Sequence, residues 1–157
     1  MSRTKTRKPK KRAGQAVTPL IGSLLRLPHE VVVTRILSAL SADGFEITLT
    51  ELGVFLYPGP DGRRPIDLAR QCNMTRQAMN YVLAGLERRG YVERRAGLSG
   101  AARSVRLTDK GWKLIGRIRS CVTAIEQEWA AHLGAQRFGA LRETLHDLAL
   151  WLGKIAE

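Results

Sequence analysis

The chain has 157 residues, about the size of one domain, and 26 Lys and Arg against 14 Asp and Glu, a formal charge of +12 that favours a polyanionic partner such as a phosphate backbone. Cys72 and Cys121 are too few and too far apart for a disulfide framework or structural zinc, and His29, His132 and His146 are scattered, so neither metal nor cofactor is expected. No apolar run approaches the roughly twenty residues that span a bilayer and the N-terminus lacks a signal-peptide core, which excludes a membrane partner and makes the reducing cytoplasm the expected compartment.

The charge is unevenly placed. Residues 1–14 hold seven bases and no acid, residues 15–62 two bases and five acids, residues 63–119 fourteen and four, and residues 120–157 three and five. The positive charge of the folded part therefore lies in one central block, where a merely soluble surface would spread it.

Residues 1–17 read as a disordered basic arm, because Lys, Arg, Pro and Gly offer almost nothing to bury. Such an arm suits phosphates or a minor groove, and equally a solvated tail. Order is expected to begin at Thr18-Pro19, a helix start followed by Leu20, Ile21, Leu24 and Leu25 at helical spacing. Pro28 interrupts this pattern and Val32, Val33, Ile36, Leu37 and Leu40 resume it up to Asp43-Gly44, which predicts a kinked or split first helix over about 18–42. A shorter helix follows from Thr48 or Thr50, with Leu49, Leu52, Val54, Phe55 and Leu56 inward, and stops before the Pro58–Gly62 loop.

Pro65 to Cys72 predicts another short helix, with Pro near its first position and Asp67 in the first turn to suit the dipole. Asn73-Met74 makes a turn, and Thr75 caps a helix whose inward face is Met79, Val82, Leu83 and Leu86, ended by Gly90. Tyr91 to Arg95 and Arg103 to Leu107 alternate like strands around a small, Gly-containing tip over 96–102, a β-hairpin. Thr108-Asp109 then caps a long helix with a stripe at Ile115, Ile118, Val122, Ile125 and Trp129, and a last helix carries Phe138, Leu141, Leu145, Leu148, Leu152 and Ile155.

The fold expected is mainly α with a small β-hairpin wing, an α+β winged helix-turn-helix. It forms one domain over 18–157, with a DNA-binding core over about 48–107 and dimerisation helices over about 18–42 and 108–155. Long apolar stripes at both ends of so small a domain favour a partner interface over an internal core. In a helix-turn-helix the second helix enters the major groove and a wing can follow the backbone or reach a minor groove. With its apolar stripe turned inward, the helix opened by Thr75 presents Arg76, Gln77, Asn80 and Tyr81 outward. Arg suits guanine and Gln or Asn suits adenine, each good pair discriminating by about 1–3 kcal/mol. Thr75 belongs with these base-reading candidates. Arg64, Arg88, Arg94, Arg95, Ser99 and Arg103 are the candidates for backbone or wing contacts, and Arg89 and Arg106 share the same setting.

The order of these helices, with Leu86-Glu87-Arg88-Arg89-Gly90-Tyr91-Val92-Glu93-Arg94 and Leu107-Thr108-Asp109-Lys110-Gly111 on either side of the wing, resembles the MarR family of bacterial transcription regulators over roughly 18–155. The resemblance implies a homodimer held by its terminal helices on a pseudo-palindromic operator in double-stranded DNA, working at the bacterial nucleoid. It also implies release by a small aromatic or phenolic effector lodged between the dimer helices and the reading domain. His29, Tyr57 and Trp112 lie on segments that could border such a pocket, with ordinary packing the plainer reading. Family wings carry an Asp and one or two Arg shortly before the second strand, where this chain has Ser99, Gly100 and Ala101, which shifts the burden of specificity to the reading helix.

Some relatives sense oxidants through cysteine, and Cys121 lies near Arg119, but a small core residue is the plainer reading of both thiols. No nucleophile elbow, phosphate-binding Gly loop or paired carboxylate is present, so no enzyme is expected. The alternative to a sequence-specific regulator is a DNA-architectural protein of low specificity that uses the same dimer and the basic arm.

Overall fold

The computed structural model describes residues 18–56, 58–95 and 104–153. The basic arm, Tyr57, the wing tip with Ser99 and Arg103, and Ile155 lie outside the described residues. The elements run α1 (Ile21–Ala42), α2 (Leu49–Phe55), α3 (Pro65–Gln71), α4 (Arg76–Arg88), β1 (Val92–Arg95), β2 (Ser104–Leu107), α5 (Asp109–Leu133) and α6 (Ala135–Trp151). This is the mainly helical winged arrangement expected.

Three threonines punctuate the chain as the sequence suggests. Thr48 accepts from the Glu51 amide while the Glu51 carboxylate accepts from the Thr48 amide, a complete capping box. Thr75 caps α4 by accepting from the Ala78 amide at 3.1 Å, and Thr108 caps α5 by accepting from Gly111 at 3.1 Å. The two strands pair antiparallel with Val92 opposite Leu107 and Arg95 opposite Ser104. The preceding loop adds to this sheet: the Gly62 amide donates to the Val105 carbonyl, the Val105 amide donates to the Arg63 carbonyl, and Asp61 accepts from the Leu107 amide. The wing base is thereby tied to the entrance of α3.

The core lies where α1, α2, α3, α4, the hairpin and α5 meet, around Leu40, Leu52, Leu68, Met79, Leu83, Leu86, Tyr91, Val105, Leu114 and Ile118. Tyr91 is buried, and its hydroxyl accepts from the Glu46 amide at 3.0 Å, which satisfies the one polar atom that its ring carries inward. Gly111 packs the first turn of α5 directly on Tyr91: a Cβ there would lie 2.2 Å from the Tyr91 carbonyl oxygen and 2.8 Å from Leu107 Cδ2.

Four expectations need correction. The first helix begins at Ile21 behind Leu20, which makes no side-chain cap, and Thr18-Pro19 lies before it. Pro28 neither ends nor splits it; one continuous helix carries through. The proline removes one main-chain donor near the exposed end, and from Val32 onward the packing of Ile36 and Leu40, with the two-pronged Arg35–Glu128 and the Arg117–Asp43 ion pairs to α5, fixes the rest. Leu49 faces outward, 62% exposed, because as the first residue of α2 it precedes the turn that packs. On α5 the fully buried line is Leu114, Ile118, Cys121 and Ile125; the Ile115, Val122 and Trp129 side is only half-buried.

Gly111→Ala is expected to cost about 1–3 kcal/mol of stability, the price of overpacking against backbone, read as a lower denaturant midpoint at unchanged slope. Gly116→Ala, with nothing within 4 Å of its Cβ on the same helix, is expected to raise stability by up to about 1 kcal/mol. Equal effects at the two sites would show that the Tyr91 contact does not fix α5.

Candidate nucleic-acid interface

The turn between α3 and α4 is closed by Asn73 in the left-handed region at φ 51°, which Asn tolerates better than most residues, and by the Met74 amide donating to the Ala69 carbonyl at 2.8 Å. This sets α4 on the surface with Met79, Leu83 and Leu86 fully buried and Val82 half-buried. The helix cannot rotate without exposing that stripe. Its opposite face carries Arg76, Gln77, Ala78 and Tyr81 in the open, with Asn80 half-exposed between them. Four side chains singled out as base readers therefore stand together on the first two turns, next to the Thr75 cap.

The far end of α4 is anchored by Arg89. Its guanidinium donates to the Glu51 carboxylate and to the Glu46 and Gly85 carbonyls, and it lies over the Tyr91 ring at 5.8 Å. Lys110 approaches the same ring at 4.4 Å and donates to the Arg89 carbonyl. Burial alone would raise the Glu51 carboxyl, but the hydrogen bonds from Arg89 and Thr48 outweigh it and hold it below the ordinary carboxylate value. Arg89 is thus a strut of the fold, and the expectation that it faces phosphates is corrected. Nothing distinguishes it from Arg88 in sequence; the signal lies in the capping-box Glu51, which sits far away along the chain.

The other arginines differ in how free they are. Arg88 is exposed at the end of α4. Arg94 is 22% exposed, its guanidinium and its amide both bound to the Glu87 carboxylate. Arg95 pairs with Glu93 at 2.6 Å and Arg106 with Asp61 at 3.4 Å, both exposed. Arg64 grips Asp67 with two nitrogens, Arg70 lies 3.7 Å from the same carboxylate, and Asp67 is held below its ordinary value chiefly by the Arg64 hydrogen bond. Arg63, Arg64, Arg70 and Gln71 border one open depression of about 740 Å³ beside the wing base. Arg63, the chain neighbour of Arg64, and Arg70, three residues beyond the shared Asp67, are not singled out in the sequence, although their spacing on either side of Asp67 is local.

Of the residues named for an effector pocket, His29 and Trp112 lie apart. His29 lines an apolar groove of about 640 Å³ with Leu24, Val31, Trp129, Leu141 and Leu145. Trp112 is half-exposed on the first turn of α5, about 25 Å along that helix from Trp129 at a rise of 1.5 Å per residue. Tyr57 is outside the described residues. A different cleft, about 390 Å³, opens between the end of α2 and the middle of α5, with Phe55, Ile115, Ile118 and Val122 as apolar walls and Arg119 and Thr123 as polar groups. Its residues come from segments more than fifty positions apart, which sequence spacing alone could not join. Cys72 is half-buried with its thiol pushed up by burial, the reverse of a reactive thiolate, and Cys121 is buried. Among the described residues no helix is long and apolar enough to cross a membrane.

Residues 47–100 match the model of the MarR family. No curated protein matches the chain. Among solved structures the chain is similar to a MarR family protein of Mycobacterium tuberculosis in complex with salicylic acid, with 32% identity, a TM-score of 0.62, and coverage of 85% of this chain and 99% of that one. It is also similar in fold to the transcriptional repressor CouR bound to a 23-mer DNA duplex, at 24% identity and TM-score 0.62 over 83% of this chain and 92% of that one. A MarR family regulator from a Rhodococcus species gives 21% identity and TM-score 0.65 over 87% and 98%. The winged hairpin, the Thr-capped helix with its buried stripe and the full-length likeness to the mycobacterial protein agree, and the chain belongs to the MarR family of transcription regulators.

Proposed function

We propose that the chain is a sequence-specific regulator that binds a pseudo-palindromic operator as a homodimer, with α4 of each protomer in the major groove. The observation that carries this is the face of α4: Arg76, Gln77, Asn80 and Tyr81 project together from a helix fixed by a cap at one end, Arg89 at the other and three buried side chains between. On this reading residues of about 48–107 form the reading unit, and the exposed Arg64, Arg88 and Arg95 hold the backbone. Arg94 contributes less, since its guanidinium is already tied to Glu87.

The dimer is supported by what the monomer leaves uncovered. Leu24, Leu27 and Val31 of α1 and Leu141 and Leu145 of α6 are all 40–49% exposed along one groove. A second copy would cover both helices, as the terminal segments 18–42 and 108–155 require. Gating by a small aromatic acid is supported by the mycobacterial relative's salicylic acid and by the cleft between α2 and α5, where Arg119 is the cation and Phe55, Ile115 and Val122 give apolar walls. On this reading His29 and Trp112 do not contact the effector.

Base readout predicts that a selected duplex outcompetes random duplex by at least about a thousandfold at fixed salt, and that Arg76→Ala with Asn80→Ala removes about 2–6 kcal/mol of specific binding while leaving binding to random duplex nearly unchanged. Fluorescence anisotropy titrations measure both; a selected-to-random ratio near one would favour the architectural reading. Leu141→Asp with Leu145→Asp is expected to yield a folded monomer in sedimentation, with operator affinity lost. Salicylate is expected to displace operator DNA from the unaltered protein, and Arg119→Met to raise the salicylate concentration needed by about tenfold or more, the worth of one charge-assisted hydrogen bond.

A further inference from the structure

We infer that the head of α4 also reads a pyrimidine C5-methyl group, through an apolar dish made by Met74, Ala78, Tyr81 and Val82, so that one thymine in each half-site is recognised by its methyl. The inference rests on α4 being the reading helix and specifies what part of its face reads.

Tyr81 is 81% exposed, an aromatic ring left in water on a helix whose other exposed residues are polar or small. Ala78, one turn earlier on the same face, is exposed and too small to cover it. Between them and the turn lies a shallow depression of about 470 Å³, with Met74 and Val82 at its floor and Thr50, Thr75 and Gln77 around it. Met74 and Val82 are packed against the buried core, so the floor is a fixed surface.

A phosphate would need donors, and this floor offers methylene, methyl and thioether groups instead. On the major-groove edges of base pairs the one projecting apolar group is the thymine C5-methyl, where cytosine has only a C5–H, and it takes apolar contacts from side chains such as Ala or an aromatic ring. That group alone among the features of a major groove fits an apolar dish. The neighbouring amides support the assignment: Gln77 on the rim and Asn80 beside Tyr81 suit adenine, so methyl reading and amide reading favour the same A·T-containing sequence.

The test uses the full-length chain and a duplex obtained by binding-site selection, with each thymine replaced in turn by deoxyuridine, which removes the methyl and keeps the pairing. At one position per half-site the affinity is expected to fall about three- to fivefold, the worth of one buried methyl, and about tenfold or more when both half-sites are changed. Tyr81→Ala, an exposed position where folding is not at stake, is expected to bind the selected duplex more weakly and to lose the discrimination, binding thymine and deoxyuridine duplexes equally. The inference is overturned if no replacement costs the unaltered protein more than about 1.5-fold while selected duplex still outcompetes random, or if Tyr81→Ala keeps the discrimination. Failure to prefer any duplex would instead overturn the reading-helix assignment, and the methyl site with it.

Discussion

The contact between Arg89 and Glu51 ties the end of α4 to the start of α2. Arg89 is the C-cap of α4 and Glu51 is the third residue of α2, so one charged hydrogen bond joins the end of one helix to the start of another. The link is not isolated. Glu51 simultaneously closes the Thr48 capping box, and the Arg89 guanidinium also reaches the Glu46 carbonyl and covers the Tyr91 ring, whose hydroxyl returns to the Glu46 amide. The pair is 27% and 12% exposed, dry enough to matter yet with every partner present, the condition under which such a pair stabilises. Because Glu51 is held below its ordinary value in the folded protein, its contribution is present above the unfolded carboxylate value and disappears as pH falls through the lower folded value.

The same contact explains why the basic block cannot be equated with a binding surface. Arg89 and Arg117 are turned to helix junctions and Arg94 to Glu87, whereas Arg64, Arg95 and Arg106 pair with carboxylates while exposed. Exposed pairs are worth little, about 0–1 kcal/mol, and a phosphate can take over such an arginine at small cost. Asp67 and Glu93 thus hold cations near the surface in extended geometry without committing them. Arg76 and Arg88 make no ion pair among the described residues and stand at the two ends of α4.

Much of this was legible in the chain. Thr48, Thr75 and Thr108, Pro65 and the alternation on either side of the wing are local signals, and local physics decides them: each cap satisfies amides within three residues of itself. The stripe Met79, Val82, Leu83 and Leu86 already tells which face of α4 is turned in, and hence that Arg76, Gln77 and Tyr81 are turned out. What was illegible depended on distant partners. Pro28 reads as a break because the packing that carries the helix past it lies on α5; Leu49 reads as core because a first-turn residue obeys the periodicity without reaching the interior. His29 and Trp112 could not be separated by spacing, since only the length of α5 shows them to be at its opposite ends. Arg89 and Arg88 are chemically identical neighbours, distinguished only by a carboxylate 38 positions away.

Helix α2 connects these findings, because both of its ends are in use. Its first turn holds Arg89 through Glu51, and its last residue, Phe55, forms a wall of the cleft whose other wall is α5. With only seven residues and Leu52, Val54 and Phe55 buried, α2 is a short body packed into the core along its length. A ligand seated beside Phe55, Ile115 and Val122 would press on one end of that body and shift the carboxylate that anchors α4 at the other. The ligand need not touch α4 or the DNA. It need only favour the displaced arrangement of α2 over the seated one by a few kcal/mol, which is within the binding energy of a small aromatic acid making one charged contact, and about the difference that separates an occupied operator from an empty one.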